Sequence, residues 1–528
     1  MGDDDQAAIK AFLADPASYG SGRSGNTVER IDTHISHLFL VGARAVKLKR
    51  ALHLPYLDFS TPEQRLAACE KELRLNRRTA PELYLCVRRI TQSARGPEFN
   101  GAGALLDAVV EMRRFDQHLL FDAMAQRGAL TPAHLDALAG EISAFHAGAP
   151  VEADAQGAAN IAAVLRVNAQ AFRESTVFAE ADIARLDAAF ETALAAHAAQ
   201  LDARARAGNV RRCHGDLHLR NICLFEGQVR LFDCLEFNDA LATVDVLYDL
   251  AFLAMDLWHR GLHAEASQVV NRYCDTARQD GDQDAGQEDG YALLPFFMAL
   301  RAAVRAHVTA TQAGSAADDA GGLTAEARAY FDLAERLLAD SPARLVAVGG
   351  LSGSGKSTIA AALAPHLGPA PGARVISSDR TRKAMHHTAP DQPLPPEAYS
   401  AEVSARVYAE IARRAGALLA DGVTVIADAV HDRAEDRIRI ARVAADAGVP
   451  FHGVWLEADP EALHARLRRR DPGASDADAE VLDDQLARAP QKVDWQTVST
   501  GGPVTHSLTR ILASVTGGDE TPSHNHDP

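Results

Sequence analysis

Gly350-Leu351-Ser352-Gly353-Ser354-Gly355-Lys356-Ser357 is a complete GxxxxGK[ST] stretch, with an apolar run, Leu345–Val348, just ahead of it. The run predicts a strand and the residues from Lys356 on predict a helix, the setting in which such a loop wraps phosphate. Glycines allow backbone N–H groups to turn inward around phosphate oxygens, and the helix N-terminus adds positive potential there. Lys356 is placed to reach the β- and γ-phosphates of ATP, and the Ser357 hydroxyl to hold Mg²⁺. The cradle is expected to comprise Gly350, Ser352, Gly353, Ser354, Gly355, Lys356, Ser357 and Thr358. A chance match in a chain of this length is on the order of one or two per cent from background composition.

Outward from this loop toward the C-terminus, strand signals near 373–377, 423–427, 451–456 and 496–499 alternate with helix signals near 356–366, 397–420, 432–447 and 476–488. Alternation of this kind implies a doubly wound parallel sheet with helices on both faces, an α/β fold. Ser377-Ser378-Asp379-Arg380-Thr381-Arg382 follows the second strand. An Asp at the C-terminal end of such a strand faces the ligand crevice. Asp379 is there either to accept a proton from a substrate hydroxyl or to cap a helix, and Arg382 to grip an anionic substrate group. Asp428, ending Val423–Asp428, fits a carboxylate that helps hold Mg²⁺ through water. Arg466-Leu467-Arg468-Arg469-Arg470 reads either as a mobile lid carrying Arg to the transferring phosphoryl group or as a solvated basic helix face.

Together these residues resemble the small P-loop kinases near the zeta-toxin, chloramphenicol-phosphotransferase, gluconate-kinase and polynucleotide-kinase families, over roughly residues 344–515. That resemblance implies Asp379 of a D-x-x-R element as general base, Arg382 as its substrate partner, and Arg466 and Arg470 as lid arginines. No guanine-specifying NKxD occurs in this half, which disfavours a GTPase.

Toward the N-terminus, His214-Gly215-Asp216-Leu217-His218-Leu219-Arg220-Asn221 gives HxDxxxxN between two short strand signals, and Asp233 follows twelve residues later. The spacing matches the catalytic and metal loops of protein-kinase-like folds. On that match Asp216 orients the substrate hydroxyl and accepts its proton, while Asn221 and Asp233 hold Mg²⁺ against ATP. His-Gly-Asp in place of His-Arg-Asp, with FDCLEFND in place of a DFG triplet, resembles the aminoglycoside-phosphotransferase version of this loop and implies small-molecule acceptors. Asp32–Ser36 and Glu72–Arg78 support the resemblance, which covers about 30–310 and is closest to aminoglycoside-phosphotransferase-like proteins fused to a P-loop kinase. Such folds also need a strand Lys paired to a helix Glu. Lys47 and Lys49 share one face of their strand. Lys47 with Glu72 is the chosen pair, with Glu70 a close competitor. His218 is expected to position the loop, and Asp245 and Asp249 to support it. Tyr19–Gly25 contains GxGxxG but follows a helix-like segment instead of a strand, so it is not read as a nucleotide loop.

The 528 residues exceed what one hydrophobic core usually organises. The expected layout is a kinase-like domain over 1–322, with an N-lobe about 26–125 and a helical C-lobe about 126–322, and a P-loop domain over 344–515. Ala313–Gly322 reads as a loop, 323–343 as a linker helix and 516–528 as a disordered tail. Net charge −17 argues against a nucleic-acid backbone as partner. The six cysteines form no CxxC pair, the acidic start is unlike a signal peptide, and no uncharged apolar run is long enough to span a bilayer. A cytoplasmic enzyme with small-molecule substrates, away from membranes, is expected. The reading is of two ATP- and Mg²⁺-dependent phosphotransferases in one chain. The alternatives are one active P-loop kinase with a ligand-sensing kinase-like half, and an ATP-driven partner-binding switch.

Overall fold

The computed structural model describes residues 6–20, 27–54, 57–277, 287–315, 320–469, 475–488 and 493–517. Contacts divide the chain into two compact units, Met1–Asn160 with Leu201–Leu253, and Ile161–Gln200 with Ala254–Pro528. Helices of the stretch 254–315 therefore pack within the same unit as the P-loop. Arg470, expected in a lid, residues 21–25 of the GxGxxG stretch and tail residues 518–528 lie outside the described residues.

In the first unit the strands are β1 (Glu29–Asp32), β2 (Ser36–Val41), β3 (Arg44–Lys49), the short pair β4 (His53–Leu54) and β5 (Leu57–Asp58), then β6 (Tyr84–Ser93), β7 (Gly96–Phe99) and β8 (Leu105–Arg113). Six of them form an antiparallel sheet in the order β1-β2-β3-β8-β6-β7. The β2–β3 hairpin closes with Val41 opposite Arg44, so Gly42 and Ala43 make the two-residue turn. Gly42 has φ +54, which a tight hairpin turn demands.

Alternation along β3 sends Val46 and Leu48 to one face, against Ile9 and Leu13 of the helix Ala7–Ala14. It sends Ala45, Lys47 and Lys49 to the other, toward the helix Pro62–Asn76. That helix starts on a capping box, Thr61 with Gln64, and carries Pro62 in its first turn. Its buried positions include Arg65, Cys69, Glu72 and Asn76, a stripe at helical spacing that turns Glu72 to the sheet. Below lie β9 (Val210–Arg212) paired with β12 (Thr243–Asp245), and the hairpin β10 (Ile222–Phe225) with β11 (Gln228–Leu231). Cys223 and Phe225 of the hairpin join Cys69, Leu83, Tyr84 and Val110 in one core cluster.

In the second unit β13 (Leu345–Gly350), β14 (Arg374–Ser377), β15 (Val425–Asp428), β16 (Phe451–Glu457) and β17 (Gln496–Ser499) form an all-parallel sheet, ordered β14-β15-β13-β16-β17. Val346, Val348, Ile426, Val454 and Leu456 are buried against Ile359, Leu363, Ile511 and Val515 of the helices Lys356–Leu363 and Val504–Val515. The edge strand β14 is covered by the helix His263–Ala277, whose Asn271 side chain accepts from Val375 N (2.8 Å) and donates to Ala373 O (3.2 Å). Gln287–Gly314 is the one described stretch long and apolar enough to cross a membrane by composition. Two thirds of its most apolar window (67%) is buried, as in a core helix. Ala313–Gly322, expected as a loop, is helical at both described ends: one helix runs to Ser315 and the next opens at Ala320. Alanine and helix–helix packing outweigh the glycines there.

Candidate functional site

The first unit assembles its polar groups where β3, the helix Pro62–Asn76 and the His-Gly-Asp loop meet. Lys47 Nζ donates to Glu72 Oε1 at 2.9 Å and to Asp233 Oδ1 at 2.5 Å. Lys49 Nζ, fully buried, donates to the other Glu72 oxygen at 2.6 Å and to Glu236 Oε1. The result is a continuous chain, Asp233–Lys47–Glu72–Lys49–Glu236. Burial alone would pull the Lys47 ammonium down, but the Asp233 and Glu72 carboxylates outweigh it and hold it well above its ordinary value. Burial likewise opposes ionisation of Glu72, and the two lysines overcome it, holding its carboxyl below the usual range. Glu70, the competitor, is an exposed helix residue.

Asn221 Nδ2 donates to Asp216 O at 2.9 Å and to Asp216 Oδ2 at 3.0 Å, which leaves the amide oxygen as the group a cation would take. Phe232 N donates to Asn221 O at 3.0 Å, so Asn221 and Asp233 sit side by side beneath the loop. Asp233 has φ +63, and its N–H is taken by the Tyr84 hydroxyl at 3.1 Å. The next N–H, of Cys234, goes to Asn76 Oδ1 at 2.8 Å. Gly215 has φ +85, and a Cβ there would sit 2.6 Å from Ala242 Cβ. No side chain fits, which is the physical reason for glycine between His214 and Asp216. Asp249 accepts from Gly215 N (2.8 Å), His214 N (3.1 Å) and pairs with His146 Nε2 (3.1 Å), so it does support the loop. Asp245 pairs instead with Arg204 through two bonds of 2.8 and 2.9 Å. His218 packs edge-on against Phe252 and lies 3.4 Å from Asp216 Oδ2.

In the second unit Gly350 has φ +140, Gly353 +81 and Gly355 +91. A Cβ on Gly350 would meet Leu456 O at 2.7 Å, and one on Gly353 would meet Leu463 O at 2.8 Å, whereas Gly355 has open space and is required by its φ alone. Lys356 Nζ donates to Leu351 O at 3.1 Å. Ser357 Oγ donates to Asp428 Oδ2 at 2.7 Å, across the gap between β13 and its parallel neighbour β15. Burial raises the Asp428 carboxyl to about 6, against the opposing pull of Lys356 and the Ser357 hydroxyl. Ser352 N is held by Gln485 Oε1 at 2.8 Å, and Ser354 is buried beside it. Thr358 is exposed on the first turn of the helix.

Asp379 lies in the first turn of the helix Ser378–Met385, half-buried; Ser377 holds the N-cap position, so Asp379 is not the cap. Arg382 is turned inward, with Nη1 on Ala398 O (2.6 Å), Nη2 near Ser404 Oγ (3.3 Å) and its guanidinium over the Tyr399 ring. Arg466 reaches the loop itself: Nη1 donates to Gly353 O at 3.3 Å and Thr500 Oγ1 at 3.1 Å, and Nη2 to Thr500 O. Lys49, Glu236, Tyr84 and Asn76 in the first unit, and Gln485 and Thr500 in the second, were not singled out from the sequence as site partners. Only Lys49 had a signal, its i, i+2 spacing from Lys47.

Both clusters offer hard oxygen donors, a carboxylate with an amide in one and a carboxylate with a hydroxyl in the other, which suits Mg²⁺. A kinase-type sheet lobe set on a His-Gly-Asp loop, followed by a phosphate loop opening a parallel sheet, defines a chain of two phosphotransfer-type domains. Residues 18–296 match the model of the phosphotransferase enzyme family, and the chain belongs to that family. Residues 345–491 match a second model, an AAA domain. Both domain types imply nucleotide use. An uncharacterized protein of Mycobacterium tuberculosis is 30% identical over 491 residues, 90% of this chain and 93% of the relative. An adenylyl-sulfate kinase of Myxococcus xanthus is 33% identical over 121 residues, 22% of this chain and 59% of that protein. Among solved structures, a choline/ethanolamine kinase family protein from Mesorhizobium loti aligns at TM-score 0.39 and 16% identity over 64% of this chain and 95% of its own. A gluconokinase from Sinorhizobium meliloti aligns at TM-score 0.25 and 23% identity over 33% and 93%.

Proposed function

We propose that each half binds Mg-ATP and transfers the γ-phosphoryl group to a hydroxyl of a small molecule. The observation that carries this reading is the convergence of Lys47, Glu72 and Asp233, up to 186 residues apart, through bonds of 2.9 and 2.5 Å. A buried chain of charges is a weak source of stability but a ready-made phosphate and metal clamp. In the first half Asp216 takes the proton of the acceptor hydroxyl, and Asn221 and Asp233 hold Mg²⁺. Glu72 keeps Lys47 aimed at the phosphates. In the second half the amides of Gly350–Gly355 and Lys356 surround the phosphates, Ser357 and Asp428 hold the ion, and Asp379 takes the acceptor proton. When bound there, Mg²⁺ would supply neutralisation of phosphate charge in both. In each transfer the acceptor oxygen forms the new P–O bond as the bond to the ADP oxygen breaks. Arg466, bonded to Gly353 O, serves the transferring phosphoryl group, with Arg470 as its lid companion.

The proposed acceptors are small molecules, handled in the cytoplasm without nucleic acid or membrane; net charge −17 supports that choice. The domain limits follow the same reading, 1–322 and 344–515. A labelled-ATP screen over a metabolite panel, run on wild type, Asp216→Asn and Lys356→Ala, tests it. One labelled product is expected to vanish only in Asp216→Asn and another only in Lys356→Ala. Activity wholly indifferent to Asp216→Asn makes the first half a sensor, and hydrolysis without any product makes the chain a switch.

A further inference from the structure

Residues 232–235 carry the carboxylate assigned to the metal of the first half, and their four successive N–H groups are all taken. The outer two stay with the His-Gly-Asp loop. Phe232 N donates to Asn221 O at 3.0 Å and Leu235 N to His214 O at 2.9 Å. The inner two reach out of it. Asp233 N donates to the Tyr84 hydroxyl at 3.1 Å, and Cys234 N to Asn76 Oδ1 at 2.8 Å. Both acceptors are side chains of the sheet lobe, one on β6 and one on the helix Pro62–Asn76.

Neither side chain is placed there for its bulk alone. Tyr84 is 1% exposed and Asn76 fully buried, where an apolar residue of equal size would avoid desolvating a polar group. Each oxygen instead meets one of two neighbouring amides. Asn76 Nδ2 donates to Glu72 O, one turn back, at 2.9 Å, which fixes the amide with Oδ1 toward Cys234. The helix that aims Glu72 at Lys47 therefore also grips the peptide that follows Asp233. Between the two grips Asp233 has φ +63, a left-handed backbone that an L residue keeps only when its surroundings hold it. That angle sets the direction of the Asp233 Cβ, and with it the carboxylate whose Oδ1 lies 2.5 Å from Lys47 Nζ.

We propose that Tyr84 and Asn76 are positioning residues for the metal of the first half. Together they hold the Asp233 backbone left-handed, so that its carboxylate is presented beside Asn221 before nucleotide arrives. The first half is then metal-ready as folded. This rests on the reading of Asp233 as a metal ligand.

The test uses the full chain with Lys356→Ala, so that nucleotide binding reports the first half. ADP is titrated by calorimetry at a series of Mg²⁺ concentrations and again in EDTA. Tyr84→Phe keeps the ring and removes one oxygen, and Asn76→Ala removes the other grip. Each is expected to raise the Mg²⁺ concentration for half-maximal ADP binding about tenfold, as loss of one buried hydrogen bond implies. ADP affinity in EDTA stays that of the parent. Asp233→Asn raises the Mg²⁺ requirement further, and adding Tyr84→Phe to it costs nothing more, since the hydroxyl acts through that carboxylate. A requirement unchanged by either Tyr84→Phe or Asn76→Ala, beside one raised by Asp233→Asn, overturns the proposal. ADP affinity lowered equally with Mg²⁺ and in EDTA makes the two side chains braces of the fold and overturns it too. A Mg²⁺ requirement indifferent to Asp233→Asn removes the underlying reading, and the positioning role with it.

Discussion

Substituting Gly215 tests whether the His-Gly-Asp loop is glycine for want of space as well as for its backbone angle. With φ +85, any L residue there incurs roughly 1–2 kcal/mol of left-handed strain. A Cβ would also lie 2.6 Å from Ala242 Cβ, 3.1 Å from Leu235 Cβ and 3.2 Å from Ala242 Cα. Forcing a methyl into a closed site adds about 1–3 kcal/mol. Gly215→Ala is therefore expected to lose about 2–5 kcal/mol. Gly355→Ala has a similar φ of +91 and nothing within 4 Å, so it should lose only about 1–2 kcal/mol. Urea denaturation followed by circular dichroism measures both. The decisive variant is Ala242→Gly combined with Gly215→Ala: removing the clashing Cβ should return about 1–2 kcal/mol relative to the sum of the single changes. Phosphotransfer dependent on Asp216 should fall with the clash, since a shift of about 1 Å in a reacting group can cost about a hundredfold. Equal losses at Gly215 and Gly355, or no return from Ala242→Gly, refute the steric argument.

Lys49→Met should be damaging because Lys49 is fully buried between two carboxylates. It takes the buried ammonium from Glu236 and leaves Glu72 with Lys47 alone, at about 3–5 kcal/mol by melting, and Glu236→Gln on top should recover part of the loss. Asp428 gives a pH signature with a definite sign. Its folded-state carboxyl is raised to about 6, so the folded chain binds the extra proton and stability falls as pH rises from the ordinary carboxylate range through about 6. Metal binding needs the ionised form and moves the other way. Mg-ADP affinity of the P-loop half should climb between about pH 5 and 7, a slope that Asp428→Asn abolishes. Arg466→Ala, losing its bonds to Gly353 O and Thr500, should weaken Mg-ATP binding in that half roughly tenfold without touching the Asp216-dependent half.

The legible parts of the sequence were those whose chemistry is contiguous. Gly350–Ser357 and His214–Asn221 each place their backbone and side chains within eight residues. The β/α alternation after Leu345 fixes a parallel sheet, and all five strands stand where the apolar runs put them. Lys47 and Glu72 were chosen because the resembled fold pairs a strand Lys with a helix Glu, while alternation kept Lys49 on the same face and Glu70 stayed a close competitor. What escaped was long-range. Nothing near Glu236 announces that Lys49 will find it 187 positions away, nor does any pattern around Asn271 disclose the strand edge it covers. Asp379 was read at a strand end because Val375-Ile376-Ser377 is β-like, whereas the helix already begins at Ser378. The D-x-x-R spacing is intact, and the structure adds what no motif shows, Ala398 O and the Tyr399 ring as partners of the Arg382 guanidinium.

The amide of Asn271, occupying both the N–H of Val375 and the carbonyl of Ala373, bears on how this protein can be dissected. Cutting at the family boundary before Leu345 would strip a short, parallel border strand of the helix that ties its edge and leave its ladder groups seeking another chain. Fragments begun there should clump or pair edge to edge, while a fragment that retains residues from His263 onward should stay dispersed.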